Sequence, residues 1–464
     1  MIFVLTYILI IWPSLCLSML PTYSHLRIVG RSAFLASISS ACHTPSMFLS
    51  MCKEPTQEKP YCVLRRGKSR LFKDGNPIIY GGAIENVFKE PQAGEEIEVF
   101  DHNFNIVGRG FFNPHSQYRV RLTVLKNEGR LFDMPLRSLF AARIERAKNL
   151  RSQVSLPSEK NTVYRLINGE GDRLGGLIID VFGSVVVVQS SAIWAEVHSA
   201  VIVEALYENF GSANVRVIWR RASSRLIQDG FAKIDDEFPA QPESNTTIGP
   251  IIVVENGINY IVHPEGGQKT GFYCDQRDNR AIMKSICHGK DILDTYCYSG
   301  GFSLAAADGG AKSITAVDSS VAALAAAKEN FKLNNFLNPV EFFQADALVV
   351  MKRLKDMGKM YDIVVCDPPK LAPSRSALMK ARSKYVKINV AAMKLVRPGG
   401  LLLSFSCSAA VTQSNMLKEI IREAGVCLDR DVTFLSEMHA AKDHVVHASY
   451  KEGSYLSGVI ACIS

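Results

Sequence analysis

The sequence predicts an α/β protein in which a small β-barrel and a small α/β unit precede a C-terminal domain with a mostly parallel sheet. Three observations support this fold class. Short β-type runs split by Gly, Pro and Asn fill residues 61–125, a mixed strand and helix pattern follows at 164–229, and apolar strands alternate with helix-length stretches from 251 to 464. The composition, 47% hydrophobic and 21% charged over 464 residues, excludes disordered, collagen-like and coiled-coil proteins.

Residues 1–60 are predicted to be a targeting leader outside the folded domains. No Asp or Glu precedes Glu54, Ser is frequent, and Arg27 and Arg31 supply positive charge, a bias typical of transit peptides. We therefore expect an organellar protein, with the plastid favoured over the mitochondrion. The alternatives are a cytoplasmic protein, a membrane anchor in the apolar residues 1–20, and a true start at Met19.

Residues 61–150 are predicted to form the barrel and a following helix. The strand-like runs lie at 62–66, 76–82, 95–101, 106–112 and 118–125, and helical spacing begins at 136 and ends at 152. Residues 62–150 hold 15 Lys and Arg against 10 Asp and Glu, a large part of the net charge of +8. This excess favours an RNA-anchoring module, with a solvated basic face as the alternative. The candidate RNA contacts are Arg65, Arg66, Lys68, Arg119, Arg121 and, in a later loop, Lys370.

Residues 151–245 are predicted to be a small central α/β domain. A hairpin is expected around a turn at 182–184, an amphipathic helix at 195–210 and another strand at 215–221. Polar, Pro-containing residues at 237–250 indicate a linker to the last domain, residues 246–464.

The last domain carries acidic residues at three successive strand ends, where a parallel sheet places its ligand. Asp294 precedes a loop with Gly300 and Gly301, Asp318 stands where a carboxylate can bind ribose hydroxyls, and Asp346 stands where one can accept from an exocyclic amine. Each aspartate alone is more often a loop or helix cap. Together they indicate a nucleoside-bearing cofactor. Because the loop lacks the GxGxxG spacing of dinucleotide sites, S-adenosylmethionine is favoured over NAD or ATP.

The motifs in this domain resemble those of a known family. DTYCYSGGFS, AVDSS, QADA, VVCDPPK and LLLSFSCS resemble class I S-adenosylmethionine-dependent methyltransferases, and KTGFYCDQRDNR, NPHSQYRVRL, GEGDRLGGLIIDVFG and EGSYLSG resemble the bacterial RlmI-type family. The resemblance runs from Tyr61 to the end. It implies a Rossmann-like class I methyltransferase domain, preceded by a PUA-like RNA-binding β-barrel and a small α/β domain, and formation of 5-methylcytosine in large-subunit rRNA.

Strand-end position and the resemblance together define the expected cofactor contacts. They are Phe272, Asp275, Arg277, Asp294, Tyr296, Tyr298, Ser299, Gly300, Gly301, Phe302, Asp318, Ser319, Asp346, Ala347 and Asp367. An alternative for Asp275 and Arg277 is that they only brace one another.

Cys407 and Asp367 are the predicted catalytic residues. Carbon 5 of cytosine is a poor nucleophile, and a thiolate that adds at carbon 6 activates it, so the chemistry requires a cysteine at the mouth of the cofactor pocket. Cys407 follows the strand LLLSFSC and matches the family's nucleophile; the alternative is a buried small hydrophobe. Asp367, in DPPK, is a candidate to contact the base or assist removal of its proton; the alternative is a loop-forming Asp-Pro turn.

Other functions on the same fold stay open at this point. The DPPK motif also occurs in amino-directed methyltransferases, so a guanine or adenine position is an alternative target, and a non-catalytic RNA-binding ribosome-assembly factor is a second. The eleven cysteines form no CxxC pair, so neither a metal site nor a disulfide framework is expected. A homodimer is possible and no membrane partner is expected. Asn76-Pro77-Ile78-Ile79-Tyr80 and Ala409 depart from the bacterial pattern, which puts the RNA target in doubt more than the reaction.

Overall fold

The structure is a computed structural model, and it describes residues 58–231, 248–266, 270–372 and 376–464. The predicted leader lies outside these ranges apart from residues 58–60, and so does most of the predicted linker. Within the described ranges, no helix is both long enough and apolar enough to cross a membrane.

The N-terminal barrel is a six-stranded sheet that encloses its own apolar core. All of its strand pairs are antiparallel except β1 with β4, and the strand order is β2-β6-β5-β4-β1-β3. The five predicted strands are confirmed. The sixth, Ile84–Phe88, is an edge strand that exposes Glu85, Asn86 and Val87, so it lacks the alternation that reveals half-buried strands. The elements are β1 Tyr61–Leu64, α1 Arg70–Lys73, β2 Ile78–Tyr80, β3 Ile84–Phe88, β4 Glu96–Phe100, β5 Ile106–Phe112, β6 Tyr118–Leu125 and α2 Arg130–Asp133.

The central domain is a four-stranded sheet of order β10-β9-β8-β7 covered by helices. The predicted hairpin is confirmed, while the predicted helix at 195–210 is interrupted at His198. Helix 136–152 forms as predicted. Its Phe140 and Ile144 pack into the core of the central domain, while Leu139 clusters with Val124 of the barrel and Arg143 Nη2 donates to the backbone oxygen of Thr123 (2.6 Å). The elements are α3 Leu136–Ser152, β7 Val163–Asn168, β8 Leu177–Phe182, β9 Val185–Ser190, α4 Ile193–Val197, α5 Ser199–Phe210, β10 Arg216–Arg221 and α6 Ser223–Gln228.

The C-terminal domain contains a seven-stranded sheet of order β15-β14-β13-β16-β17-β19-β18, preceded by the hairpin β11-β12. Strands β13 to β17 are parallel and β19 is antiparallel to both neighbours. The predicted alternation of strands and helices is confirmed, and separate apolar cores form on the two faces of the sheet. The elements are β11 Ile251–Glu255, β12 Ile258–Val262, α7 Arg277–Ile286, β13 Asp291–Thr295, α8 Gly301–Asp308, β14 Ser313–Asp318, α9 Val321–Leu333, β15 Val340–Gln344, α10 Ala347–Asp356, β16 Tyr361–Cys366, α11 Leu378–Met393, β17 Val396–Ser406, α12 Ala409–Gln413, α13 Met416–Val426, β18 Val432–His439 and β19 Ser457–Ile463.

Residues 440–456, between β18 and β19, join the three modules and are named here the bridging segment. Asp443 accepts a hydrogen bond from the backbone nitrogen of Arg165 in the central domain (2.8 Å) and forms a bidentate ion pair with Arg277 (2.8 and 2.9 Å). On the barrel side, the backbone oxygen of Ser449 accepts from Asn76 Nδ2 (3.2 Å). These contacts fix both smaller modules against the domain that contains the seven-stranded sheet.

Candidate active site

The strand order reverses at β13, so the crevice between the ends of β13 and β16 is where an open α/β sheet places its ligand. Asp294 lies in β13 on one side of this crevice and Asp367 follows β16 on the other. The fold therefore brings Asp294 and Asp367, which lie at the ends of different strands, to the same crevice.

Asp294 is a buried carboxylate with one oxygen in use. Its Oδ2 accepts from the backbone nitrogen (3.0 Å) and the hydroxyl (2.6 Å) of Ser303, in the first turn of α8. Among the described residues none donates to the buried Oδ1. Burial raises the pKa of Asp294 to about 7, and the neighbouring Asp367 and Asp318 act in the same direction against the Ser303 hydrogen bonds.

The loop after β13 is held in an uncommon backbone conformation. Tyr296 and Tyr298 have φ values of +62° and +50°, in the left-handed region that side chains other than glycine rarely adopt. Such conformations concentrate at ligand sites, where the surrounding structure fixes them. Gly301 is needed for packing, because a Cβ there would lie 2.5 Å from Arg280 Nε.

Asp318, at the end of β14, supports the same loop. Its Oδ2 accepts from the backbone nitrogen of Tyr298 (2.9 Å) and its Oδ1 from that of Ser320 (2.8 Å). Each oxygen retains acceptor capacity, and the side chain is only half-buried, so it can also accept from ribose hydroxyls. Ser319 is exposed beside it, and Ser299 presents its backbone oxygen to Asn330 (3.2 Å).

Asp346 serves as the N-cap of α10. Its Oδ1 accepts from the backbone nitrogens of Leu348 (2.9 Å) and Val349 (3.2 Å), and Ala347 is buried as the first residue of the helix. Asp346 Oδ1 therefore acts as a helix cap, the alternative given for each of these aspartates from the sequence. Asp346 is exposed, so the cap does not remove it from the rim of the site.

Four predicted cofactor contacts are engaged in the protein core instead of lining an open surface. Phe272 packs on Tyr260 (ring centroids 5.1 Å apart), and Phe302 packs on Phe405 (5.3 Å). The Arg277 guanidinium is occupied by Asp443, and Asp275 accepts from Tyr455 Oη (2.7 Å). Asp275 and Arg277 are thus each held by a residue far along the chain.

Cys407 and Asp367 follow neighbouring parallel strands, β17 and β16. Cys407 is half-buried, whereas Cys366 and Cys297 are fully buried. Burial is the main reason that the pKa of the Tyr273 hydroxyl is raised, and Tyr298, Asp275, Cys407 and Asp367 add to the rise, so the phenol stays neutral. The arrangement places a thiol, a carboxylate and an aromatic ring at the mouth of the crevice.

Gln276 is a site residue that is not among the predicted contacts. Its Nε2 donates to Asp367 Oδ2 (3.0 Å), while its Oε1 accepts from Asn279 Nδ2 (2.5 Å). Gln276 thus fixes the Asp367 carboxylate from the opposite side of the crevice. The signal that could have found it is its place inside the motif KTGFYCDQRDNR.

The predicted RNA contacts separate into two groups. Arg65, Arg66, Lys68 and Lys370 are exposed, and Arg119 is half-buried and donates to the backbone oxygens of Asn113 (3.4 Å) and Pro114. The prediction for Arg121 is wrong. Its side chain is 8% exposed and is paired with Asp229 (3.4 Å) and Glu170 (3.6 Å), because the central domain covers this face of the barrel.

Comparison with known proteins gives concordant matches. Residues 63–123 match the model of a PUA-like domain, and residues 241–435 match that of a family of S-adenosylmethionine-dependent methyltransferases. The protein named ribosomal RNA large subunit methyltransferase I of Shewanella frigidimarina is 37% identical over 404 residues, which cover 86% of this chain and 98% of the relative. Its namesake from Klebsiella pneumoniae is 34% identical over 405 residues, 87% of this chain and 98% of the relative.

The chain belongs to the RlmI family of ribosomal RNA large-subunit methyltransferases. The fold agrees: an S-adenosylmethionine-dependent methyltransferase from Streptococcus mutans has a TM-score of 0.72 at 21% identity, covering 87% of this chain and 99% of that one. A methyltransferase solved with S-adenosylhomocysteine has a TM-score of 0.70, also at 21% identity, over 87% of this chain and 99% of that one. The predicted fold class is thereby confirmed.

S-adenosylmethionine is the cofactor of this RlmI-family enzyme, and the residues present fit it. The buried, unpartnered Oδ1 of Asp294 faces no donor in the described chain, so it requires one from a ligand. Asp318 offers acceptors suited to hydroxyls, and Gly300 is the N-cap of α8, whose N-terminus faces the loop.

Proposed function

We propose that this protein forms 5-methylcytosine in large-subunit rRNA through a covalent Cys407 adduct. The single observation that carries the proposal is the placement of Cys407 and Asp367 at adjacent strand ends, over the crevice marked by Asp294. The names of the relatives, which specify large-subunit rRNA, support the substrate.

The chain's own residues supply the nucleophile, the proton acceptor and the contact to the target nucleobase. The Cys407 thiolate adds to carbon 6 of cytosine, and the electron pair of the 5,6 double bond becomes available at carbon 5. S-adenosylmethionine supplies, when bound, an electrophilic methyl group. After carbon 5 is methylated, Asp367 removes the proton from carbon 5, directly or through water. The electrons of that C–H bond restore the 5,6 double bond, and the carbon–sulfur bond breaks to return the thiolate. Gln276 orients the Asp367 carboxylate for this transfer.

The exposed cations of the barrel are proposed to hold the RNA. Arg65, Arg66 and Lys68 lie in one loop, and the backbone nitrogen of Arg65 donates to the oxygen of Ala83 (2.9 Å), which joins this loop to the turn after Tyr80. Tyr80 and Tyr118 are 43% and 37% exposed and meet edge to face at 5.5 Å. Cations next to exposed aromatic rings are the combination that single-stranded RNA requires.

Replacing Cys407 tests the chemistry. The variant Cys407→Ala should bind S-adenosylmethionine as the wild type does and give no methylated product from an unmodified transcript of large-subunit rRNA. The matched control is Cys427→Ala, which removes an exposed thiol elsewhere and should be fully active. Full activity of Cys407→Ala would exclude the covalent route and favour methylation of an amino group.

The organellar location is part of the proposal and rests on the acid-free leader, with the plastid as the favoured compartment. Bisulfite sequencing of organellar rRNA from cells that lack the protein should reveal one lost cytosine mark. A fluorescent fusion to residues 1–60 should enter plastids. An unchanged cytosine pattern in organellar rRNA would contradict the assignment.

A further inference from the structure

A buried hydroxyl lies beneath the two catalytic loops. Tyr385, on α11, is completely inaccessible to solvent. Its Oη accepts from Ser406 Oγ (3.0 Å) and shares a second hydrogen bond with Ser408 Oγ (2.9 Å). Ser406 and Ser408 are the two residues that flank Cys407, so one phenol fixes the chain on both sides of the thiol.

The same hydroxyl also reaches the loop that follows Asp367. The backbone of Leu371 donates to Tyr385 Oη, and Ser408 Oγ accepts from the backbone nitrogen of Ala372 (3.2 Å). Leu371 and Ala372 come directly after the Asp367-Pro-Pro-Lys sequence. The loops that carry the thiol and the carboxylate are therefore joined through the Tyr385 oxygen and by the direct hydrogen bond between Ser408 and Ala372.

Tyr385 is itself held firmly. Its backbone oxygen accepts from Asn389 Nδ2 (2.9 Å), and Asn389 Oδ1 accepts from Ser404 Oγ (2.7 Å) in β17. Burial is the main reason that the pKa of the Tyr385 phenol is raised, and the nearby Cys407 contributes. The group consequently remains a neutral hydroxyl, able both to donate and to accept.

We propose that Tyr385 is a positioning residue whose hydroxyl sets the Cys407 loop against the Asp367 loop for methyl transfer. This role rests on the proposed function of Cys407 and Asp367, neither of which Tyr385 replaces. Reacting groups must be held to within a fraction of an ångström, and a displacement of about 1 Å can reduce a rate by about 100-fold. Nothing in the chemistry consumes the phenol, because its bonds are to serines and backbone only.

The test compares Tyr385→Phe with Tyr361→Phe. Tyr361 is also buried in this domain, and its hydroxyl donates to Thr315 Oγ1 (3.1 Å), away from both loops. Each variant loses one buried hydroxyl and keeps the ring. On an unmodified transcript of large-subunit rRNA, Tyr385→Phe should lower kcat by about 10-fold or more, with KM for RNA and the Kd of S-adenosylmethionine within about 2-fold of wild type. Tyr361→Phe should leave kcat within about 2-fold.

A second readout follows the thiol itself. RNA containing 5-fluorocytosine traps the covalent adduct, because the fluorine at carbon 5 cannot leave as a proton does, and adduct formation should slow in Tyr385→Phe by the same factor as kcat. Equal kcat values for the two variants, or a kcat loss matched by a loss of cofactor affinity, would overturn the positioning role. An active Cys407→Ala variant would exclude the covalent route but would leave the comparison of Tyr385→Phe with Tyr361→Phe valid, because that comparison measures the rate of methyl transfer.

Discussion

Asp294 combines burial, unsatisfied hydrogen-bonding capacity and nearby negative charge in a single side chain. Its raised pKa of about 7 means that the folded empty site keeps the carboxyl protonated where the unfolded chain ionises it, so the cost in stability grows as pH rises from about 4 to about 7 and is complete above that. A cationic ligand reverses the preference, because positive charge beside the carboxylate favours the ionised form. The residue therefore links cofactor affinity to pH.

We predict that S-adenosylmethionine binds more tightly at pH 8 than at pH 6, with a change approaching 10-fold per pH unit below pH 7. Calorimetric titrations in buffers of different ionisation enthalpy should show proton release on binding near pH 7. In Asp294→Asn the affinity should be lower and this component of the pH dependence absent. Equal affinities of the wild type at pH 6 and pH 8 would contradict the prediction.

Gln276 is the second residue whose replacement has a defined outcome. Gln276→Leu removes the donor to Asp367 Oδ2, a hydrogen bond to a charged group worth about 1.5–3 kcal/mol, so kcat should fall by about 10-fold or more. Gln276→Glu should be worse, because a like charge beside Asp367 disfavours its ionised form. Steady-state kinetics measures both, and the exposed Gln228→Leu serves as control. Normal kcat in Gln276→Leu would show that Asp367 needs no such support.

Individual strands show how far sequence patterns can lead. Strands buried on both faces are predicted from short apolar runs, Ile292-Leu293 in β13 and Ile363-Val364-Val365-Cys366 in β16, although β13 also carries Asp291 and Asp294. The edge strand β3 and the strand β18, with five consecutive exposed residues, have no such signal. The positions of Asp294, Asp318 and Cys407 follow from strand ends, whereas the Arg277–Asp443 pair spans 166 residues and depends on the tertiary fold.

Strand β6 shows that a sequence pattern alone does not tell which of its cations are exposed. Alternation places Arg119 and Arg121 on one side of the strand, yet the central domain covers only the second of them. Arg109 and Arg143 are likewise buried in ion pairs with Glu96 (3.4 Å) and Glu128 (2.8 Å). Part of the basic excess in the barrel region is therefore structural, whereas the cations of the loop at 65–68 are exposed.

The loop between β1 and α1 should carry the salt-dependent part of RNA affinity. Replacing Arg65, Arg66 and Lys68 with Ala should weaken binding to the rRNA transcript and reduce the slope of log K against log salt by about 0.7 for each phosphate that the protein ceases to neutralise. Filter-binding titrations at several salt concentrations measure this. An unchanged slope would place the RNA elsewhere on the molecule.

Arg121 should behave differently from those three cations. Arg121→Leu leaves Asp229 and Glu170 without their partner, and breaking such a buried pair costs about 3 kcal/mol, so the variant should melt at a lower temperature. Its RNA affinity and salt slope, measured below the melting transition, should match the wild type. A stable variant with weakened RNA binding would restore Arg121 as an RNA contact.

At the scale of the whole molecule, the bridging segment determines how the modules are held together. Asp443 pairs with Arg277 of the catalytic domain, and its backbone oxygen accepts from Arg151 Nη2 (2.8 Å) of α3. Burial alone would raise the pKa of Asp443, but His444 and Arg277 outweigh it and hold the pKa well below its usual range. Its stabilising contribution is thus complete above the pKa of an unfolded Asp, about 4, and is lost as pH falls below it.

We predict that Asp443→Asn lowers the free energy of unfolding at pH 7 by about 3 kcal/mol and flattens its decline as pH falls below about 4. Urea titrations followed by circular dichroism measure both effects. Asp431→Asn, at an exposed position, is the control and should follow the wild type. Identical acid profiles for wild type and Asp443→Asn would rule out Asp443 as the source.

The attachment of the barrel to Ser449 and of the central domain to Asp443 has a consequence for how a nucleotide is chosen. If the barrel binds the RNA and the crevice binds the target base, as proposed, the protein fixes the distance between the two contacts. The choice of target would then depend on a distance across the folded RNA as well as on the base itself. Base pairs inserted between the gripped strand and the target should transfer the methyl mark to a different cytosine or abolish it, even with the target's neighbours unchanged.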